Sequence, residues 1–249
     1  IKASQFGAML DERRGQLPVP VQLAMWNLTD SHDTDRMAQM IVNRNTTGRY
    51  TNAEKFDYDE SGNSARSNPA YLLREPNAEE RAIQRLIILF QASYVGAPMF
   101  YYGVEAGMWG GDDPDCRKPM PWDDLKMDIE KIDPRGRPRP EDDPNVDQAL
   151  HASVRRVLAM HKANPAFQTP DFQILAADDE KNVFIYSRGT GTDLRVVALN
   201  RSGEPQTVKF KSSASELLFD TGDGMGIKAE QSGDEVELTL PALTGAVLK

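Results

Sequence analysis

Apolar positions in the first part of the chain follow the spacing of helices, interrupted by short apolar runs that are typical of strands. The runs at residues 22–28 and 99–102 are apolar and aromatic, so both are predicted to be buried strands. Because helices and strands alternate here, parallel strand pairing is expected. Helices are predicted at residues 3–13, at 37–42, from residue 77 onward, and at 146–163.

Two of the predicted helices have clear apolar stripes. Asn77 caps the first of them, with Glu80 at the position that completes a capping box. The residues expected to face inward are Ile83, Leu86, Ile87 and Phe90 in the first helix, and Leu150, Val154, Val157 and Leu158 in the second.

The period of the pattern changes after residue 168. Short β-rich runs separated by Gly, Asn, Asp and Ser predict an antiparallel β-sandwich. The seven runs are residues 172–175, 183–187, 194–199, 207–210, 216–219, 235–240 and 246–248.

The β-rich part follows only two convincing strands, and two parallel strands can neither close a barrel nor bury both of their faces. We therefore expect the chain to be the C-terminal piece of something larger. The predicted fold class is α/β plus all-β: the last two βα units of a (β/α)8 TIM barrel in residues 1–167, then the antiparallel β-sandwich in residues 168–249. Residues 43–76 are polar, and we interpret them as a long insertion within the barrel part.

Composition excludes some classes of partner. The net charge of the 249 residues is −9, which argues against a nucleic-acid partner or an anionic membrane. No apolar run approaches the roughly 20 residues of a membrane span. The single cysteine, Cys116, allows no internal disulfide. Cysteine content therefore does not decide whether the protein is cytoplasmic, periplasmic or secreted.

The first candidate cluster, Asp-Ser-His-Asp-Thr-Asp-Arg at residues 30–36, closes the first predicted strand. From its residue types alone it is a metal site, an acid/base site or a solvated turn. A metal site is disfavoured because no second histidine cluster lies at ligand spacing. No bound metal is therefore expected at this cluster.

The second cluster follows the second predicted strand. Tyr101-Tyr102-Gly103 comes first, with Glu105 two positions later, and a glycine-rich loop then leads to Asp-Asp-Pro-Asp-Cys-Arg at residues 112–117. Tyr101 and Tyr102 are expected to pack rather than bind. Trp122, which stands between prolines and aspartates, is expected to seal the loop.

These two clusters resemble the ends of strands seven and eight in the α-amylase family of glycoside hydrolases, within the neopullulanase, cyclomaltodextrinase and maltogenic amylase group. The resemblance implies that Asp33 is the third catalytic carboxylate, which holds sugar hydroxyls and favours the oxocarbenium-like ring. It also implies that His32 donates to a hydroxyl of the same sugar and that Arg36 orients neighbouring carboxylates. Asp30 and Asp35 are expected to be structural or solvated.

The same resemblance makes Asp113 and Arg117 sugar-binding residues on the non-reducing side of the cleaved bond. It makes Glu105 a buried structural carboxylate paired with an arginine. The chain departs from the family pattern at Val104, where an acidic residue is more common.

Two family carboxylates, the nucleophile and the acid/base, have no matching motif in this sequence. Retaining glycosidases need both, so the chain by itself is expected not to hydrolyse α-glucans. In the complete enzyme the resemblance implies cleavage of α-1,4 bonds, with α-1,6 bonds as a further linkage, in maltooligosaccharides or cyclodextrins. No cofactor is expected in this part, and calcium in a full-length enzyme is left open.

The sequence leaves three alternative functions open. A transglycosylase of the same family would share the covalent intermediate. A carbohydrate-binding module would use exposed sandwich aromatics, although the aromatic residues here are better explained as core. A structural sandwich would support the barrel. The expected protein partner is the missing N-terminal part of the barrel or a second copy of the chain.

Overall fold

The structure is a computed structural model that describes residues 1–46, 65–133, 135–222 and 224–249. These residues form two compact units. The sandwich unit comprises residues 1–27, 85–99 and 155–249, and the motif unit comprises residues 28–84 and 100–154. The predicted domain division at residue 167 stays a prediction.

In chain order the helices and strands are α1 (Ala3–Gly15), α2 (Val19–Ala24), β1 (Trp26–Asn27), α3 (Met37–Val42), α4 (Ala78–Ser93), β2 (Ala97–Pro98), α5 (Gln148–Ala163), β3 (Phe172–Asp178), β4 (Val183–Arg188), β5 (Arg195–Asn200), β6 (Gln206–Lys211), β7 (Leu217–Asp220), β8 (Lys228–Ser232), β9 (Glu235–Leu240) and β10 (Gly245–Leu248). Among the described residues, no helix combines the length and the apolarity that crossing a membrane requires.

The two strands predicted in the first part are much shorter than expected. β1 pairs with β2 in parallel, as predicted, but each strand has two residues. Residues 19–24 form helix α2 instead of a strand, because Pro18 and Pro20 stand at its start, where proline favours a helix. Trp26 is 65% exposed, so the predicted burial of this strand is also wrong.

The predicted strand at residues 99–102 does not form. Pairing of β2 ends at Pro98, although Met99 still donates its backbone N–H to the Asn27 carbonyl at 3.3 Å. Residues 102–107 then form successive turns, and Gly103 within them has φ +81°. A left-handed conformation of this kind favours glycine, and it ends the extended backbone.

The β-rich part forms two antiparallel sheets, of order β3-β4-β5-β10-β7 and β6-β9-β8. Residues of both sheets contribute to one apolar core, which includes Ile185, Val196, Phe210 and Leu238. All seven predicted runs are strands, so the predicted antiparallel pairing is confirmed. The eighth strand, β8, was missed because its sequence, Lys-Ala-Glu-Gln-Ser, is largely polar and exposed.

Helix α1 packs on the sandwich through Gly7. A Cβ atom at Gly7 would lie 2.8 Å from the end of the Ile174 side chain, so a larger residue here would require that side chain to shift. The ring of Phe6 contacts Phe90 and Phe184, both at 5.3 Å between centroids. Such edge-to-face aromatic pairs add packing energy to the apolar area that they bury.

The motif unit contains α3 and the start of α4. The predicted capping box is confirmed: Asn77 N–H donates to Glu80 Oε2 at 2.8 Å, and Glu80 N–H donates to Asn77 Oδ1 at 2.9 Å. Of the inward positions predicted in α5, Leu150, Val154 and Val157 are buried, whereas Leu158 is exposed. The predicted insertion at 43–76 lies partly outside the described residues; its last part, from Ala65, is described.

Candidate functional site

The loop at residues 30–36 is held in place by its buried carboxylates. The backbone N–H groups in the first turn of a helix have no acceptor within the helix. At the start of α3, Met37 donates its backbone N–H to the Asp30 carboxylate at 2.9 Å. Burial raises the pKa of Asp30, and the hydrogen bond from Met37 and the charge of Arg36 oppose that rise. Asp35 is fully buried and accepts the Tyr71 hydroxyl. Both aspartates are therefore structural. The sequence had left a structural and a solvated role as the two alternatives.

Arg36 links this loop to the second cluster. Its side chain is fully buried, Nη1 donates to the Tyr102 carbonyl at 2.6 Å, and its backbone N–H donates to the Gly110 carbonyl at 3.1 Å. The guanidinium lies 4.7 Å from the ring centroids of both Tyr101 and Tyr102. These cation–π contacts explain why the two tyrosines pack here, as expected.

The second loop is folded tightly around Asp115. This buried carboxylate accepts the Gly111 N–H at 2.7 Å, and Gly110 approaches so closely that a Cβ there would lie 2.4 Å from the Asp115 carbonyl oxygen. A 3₁₀ turn over Asp115–Arg117 then directs Arg117 outward. The close approach explains the glycine-rich sequence before residue 112.

A cationic pair supports the same loop. Lys118 Nζ lies 3.8 Å from the ring centroid of Trp109, and the Arg139 guanidinium lies 4.5 Å from it. Burial lowers the pKa of Lys118, and the nearby carboxylates of Asp115 and Glu130 oppose this change only in part. Trp109 is therefore a buried packing residue in this unit rather than an exposed sugar-stacking surface.

The two loops meet at Arg117. Its Nε donates to the His32 carbonyl at 2.9 Å and lies 3.2 Å from Asp113 Oδ1, and its Nη2 lies 3.3 Å from Asp33 Oδ1. His32 Nε2 in turn lies 3.2 Å from Asp33 Oδ2. The structure thus brings together the four residues selected from the sequence as catalytic or sugar-binding.

These four side chains are accessible. The side chains of His32 and Asp33 are 65% and 68% exposed, and those of Arg117 and Asp113 are 44% and 40% exposed. Two carboxylates, an imidazole and a planar guanidinium therefore face solvent as one polar surface. Such groups accept hydrogen bonds from vicinal hydroxyls and donate to them with defined geometry.

Three sequence-based expectations need correction or comment. Glu105 is half-buried, and its expected pairing with an arginine stays a prediction. Trp122 is 60% exposed and does not seal the loop. Cys116 is fully buried, and burial raises the pKa of its thiol, which disfavours a nucleophilic role.

Other residues around the site were not predicted from sequence. Tyr71, Lys118, Glu130 and Arg139 support the two loops from segments that carry no recognisable motif. Within the described ranges, no group of three or more His, Cys, Asp or Glu side chains is placed to hold a metal ion.

The sandwich aromatics proposed as sugar-binding candidates are mainly core. Phe184, Tyr186, Phe210 and Phe219 are buried. Phe172 is half-buried, with its ring stacked on Tyr186 at 5.0 Å between centroids. The expectation that these rings form the core is confirmed.

Comparison with known proteins shows which enzymes this chain is similar to. No family model matches the chain. A cyclomaltodextrinase of Geobacillus thermopakistaniensis (strain MAS1) is 29% identical over 214 residues, which cover 86% of this chain and 27% of the relative. Neopullulanase 2 of Thermoactinomyces vulgaris is 27% identical over 250 residues, which cover 100% of this chain and 33% of the relative.

The relatives that match the chain include cyclomaltodextrinases, neopullulanases, amylopullulanases and a maltogenic amylase, so the chain is similar to enzymes of the α-amylase family. A crystal structure of a debranching enzyme from Nostoc punctiforme matches it with a TM-score of 0.66 at 22% identity, covering 100% of this chain and 40% of that one. At this identity the structural likeness concerns the fold. The chain spans about a third or less of the length of the two curated relatives.

Val104 is the departure from the α-amylase family pattern noted in the sequence, near the start of the second cluster. The acidic residue that is more common at this position would be buried here, since Val104 is 1% exposed. An uncharged residue avoids the cost of burying a carboxylate without a partner. The departure therefore fits the local packing.

Proposed function

We propose that His32, Asp33, Asp113 and Arg117 form part of the substrate-binding surface of a retaining enzyme that cleaves α-glucans. The bonds cleaved are α-1,4 and, as a further linkage, α-1,6 glucosidic bonds. The observation that carries the proposal is the convergence of two separate motifs on Arg117 at an accessible surface. The names of the curated relatives support the substrate class.

Each of the four residues has a distinct role in this proposal. Asp33 accepts hydroxyls of the sugar at the cleaved bond and stabilises its oxocarbenium-like transition state. His32 donates to the same sugar, and its contact with Asp33 orients both side chains. Asp113 and Arg117 grip a sugar on the non-reducing side, where the guanidinium fork and the carboxylate match neighbouring hydroxyls.

Arg36 and Glu105 lie outside the surface that touches substrate. Arg36 holds the first loop against Tyr102, and its charge opposes the rise that burial causes in the pKa of Asp30. Glu105 is a structural residue in this proposal, and an arginine is its expected partner. No cofactor is required for these roles.

In this proposal residues 1–167 are the end of a (β/α)8 barrel, and the nucleophile and acid/base carboxylates come from other parts of a longer polypeptide. Catalytic groups that act as a unit lose most of the rate when members are absent. Residues 1–249 alone are therefore proposed to be inactive. The sandwich has a structural role, since its aromatic rings are used in packing.

The test is Asp33→Asn in the complete natural polypeptide. The substitution keeps the shape of the side chain and removes its charge, so kcat on maltooligosaccharides should fall by about 100-fold or more, the scale of losing one transition-state-stabilising group. Asp124→Asn is the matched control, because Asp124 is an exposed aspartate of the same unit. Activity of Asp33→Asn within a few-fold of the unsubstituted enzyme would reject the assignment.

The same assay separates hydrolysis from transglycosylation. Products longer than the substrate, at high maltotriose concentration, would favour the transglycosylase, since both reactions pass through one covalent intermediate. Shorter products alone would favour the hydrolase.

A further inference from the structure

Two short stretches without a recognisable motif, residues 130–133 and 135–139, run antiparallel to each other beside the second loop of the candidate site. Arg139 donates its backbone N–H to the Lys131 carbonyl at 3.1 Å. Asp133 is buried and accepts two further backbone N–H groups of the second stretch, at 2.8 and 2.9 Å. These hydrogen bonds order both stretches, so the side chains that they direct at the loop are held in defined positions.

The side chains of Arg139 and Glu130 form a largely buried ionic cluster with Asp115 and Lys118. The Arg139 side chain is 2% exposed; its Nη1 lies 3.4 Å from Asp115 Oδ1 and also donates to the Glu130 carboxylate. Lys118 Nζ lies 2.8 Å from Glu130 Oε1 and 3.5 Å from Asp115 Oδ1. Two cations thus face two carboxylates, and loss of one member of such a cluster costs far more than loss of an exposed pair.

Asp115 connects this cluster to Arg117. Its carboxylate accepts the Gly111 N–H at 2.7 Å, and its backbone N–H donates to the Asp112 carbonyl at 2.9 Å. The 3₁₀ turn that begins at Asp115 ends at Arg117, whose backbone N–H donates to the Pro114 carbonyl at 3.0 Å. Because one residue separates the two, the place of the Asp115 side chain also sets the direction in which the Arg117 side chain leaves the backbone.

The contacts at the surface are a weaker restraint on Arg117. Its side chain is 44% exposed, and its partners Asp33 and Asp113 are 68% and 40% exposed. Ion pairs that water reaches contribute little free energy. A firmer restraint on the loop therefore has to come from its buried side, where Arg139 lies.

We propose that Arg139 is a positioning residue for the proposed sugar-binding pair: through Asp115 it holds Arg117 in place against Asp113. The inference rests on the proposed function and adds to it a residue that no motif identifies. In that function Asp113 and Arg117 hold a sugar other than the one at the cleaved bond. The contribution of Arg139 is therefore to substrate affinity rather than to the chemical step.

The test is steady-state kinetics on maltoheptaose with the complete natural polypeptide. Arg139→Met removes the buried cation and should raise KM by about tenfold, the scale of one lost charge-assisted hydrogen bond, while kcat stays within about threefold. Arg139→Lys keeps the charge without the planar fork, so its KM should lie within about threefold of the unsubstituted value. Lys131→Ala, at an exposed cation of the same stretch, is the control and should change neither constant.

A double substitution separates positioning from general support of the fold. Arg117→Ala removes the guanidinium through which Arg139 acts, so adding Arg139→Met to it should raise KM by less than about twofold further. A second tenfold rise would show that the two residues act independently and would overturn the proposal. An unchanged KM in a folded Arg139→Met enzyme would overturn it as well.

Glu130→Gln keeps the proposal open to test if Arg139→Met does not fold. It removes the carboxylate shared by Arg139 and Lys118, so KM should rise by about threefold, and Arg117→Ala should again mask the rise. An unchanged KM, or a rise that persists beside Arg117→Ala, would overturn the positioning role. An unchanged KM in Arg117→Ala alone would instead reject the sugar-binding role of Arg117 in the proposed function.

Discussion

Arg117 Nη2 lies 3.3 Å from Asp33 Oδ1, although the two residues are 84 positions apart. Both side chains are more than two-fifths exposed, so an ion pair of this kind contributes about 0–1 kcal/mol to stability. Stability therefore does not explain the arrangement. The pair instead fixes the relative position of two polar loops at the surface where we propose that a sugar binds.

Replacement of Arg117 by lysine should weaken substrate recognition even though the charge is kept. A lysine is a point charge without the planar fork, so it cannot contact the His32 carbonyl, Asp33 and Asp113 together. We expect Arg117→Lys to lower kcat/KM for maltooligosaccharides by about tenfold in the complete polypeptide. Arg155→Lys, at an exposed arginine elsewhere, is the control. A value within twofold of the unsubstituted enzyme would contradict this prediction.

Asp30 should make the stability of the motif unit depend on pH. Burial raises its pKa above the usual 3.8, so the folded state binds the proton more tightly than the unfolded state. The contribution of Asp30 to the free energy of unfolding is therefore largest below pH 3.8 and declines as the pH rises through the folded pKa. Urea unfolding over this range measures the effect, and the difference between the unsubstituted chain and Asp30→Asn isolates it.

The two substitutions at Asp30 should differ at neutral pH. Asparagine keeps an oxygen that accepts the Met37 N–H, so Asp30→Asn should unfold with a free energy equal to or above that of the unsubstituted chain. Asp30→Ala leaves this buried N–H without its acceptor and should lower the free energy of unfolding by about 1–3 kcal/mol. Equal losses in both variants would contradict the role of the hydrogen bond.

Glu80 should contribute far more to stability than its neighbour Glu79. Burial opposes its ionisation, but the hydrogen bonds from Arg74 and from Asn77 N–H and the charge of Arg44 outweigh burial and lower the pKa of Glu80. Glu80→Ala should cost about 2 kcal/mol, below the 3–5 kcal/mol of fully buried pairs because water still reaches the arginines. Denaturant unfolding of the 249-residue chain measures the loss.

Glu79→Gln is the matched control for this prediction, since the exposed Glu79 lies 2.6 Å from the same Arg44. It should change the free energy of unfolding by less than about 1 kcal/mol. Because the pKa of Glu80 is lowered, its contribution is present above its usual value of 4.5 and is lost as the pH falls through the folded pKa. Equal effects of the two substitutions would show that burial of Glu80 is unimportant.

Cys116 should resist thiol reagents in the folded chain. Its side chain is fully buried, its thiol donates to the His32 carbonyl at 3.3 Å, and burial raises its pKa, so little thiolate is present. Mass spectrometry after iodoacetamide treatment should show modification in denaturant and slow modification without it. Rapid labelling of the folded chain would mean that this loop opens readily.

Local sequence patterns predicted several elements correctly. The capping box of Asn77 and Glu80 is formed by residues three positions apart, so its chemistry is contained in the sequence. Of the β-rich runs, β6 and β9 alternate buried and exposed positions, and the two-residue period identifies such strands without knowledge of their partners. Strands β4 and β10 are buried at every position. Strand β8 was missed because an exposed polar strand carries little of that signal.

The apolar runs at residues 22–28 and 99–102 show the limit of such patterns. Apolar composition indicated buried strands, but the chain forms α2 from Val19 to Ala24 and makes turns after Pro98. Prolines and a glycine at φ +81° decided the backbone, and β1 and β2 pair only with each other among the described residues. Burial of a strand depends on neighbours, which its own sequence does not specify.

The sequence by itself determined the capped helix, the alternating strands and the identity of His32, Asp33, Asp113 and Arg117 as candidate residues, because these depend on neighbouring positions or on short motifs. Only the tertiary structure decided that the two motifs meet at Arg117 and that Arg139, which belongs to no motif, lies against Asp115. The physical reason is that hydrogen bonds and ion pairs act over a few ångströms. Which distant segments come that close depends on the packing of the whole unit.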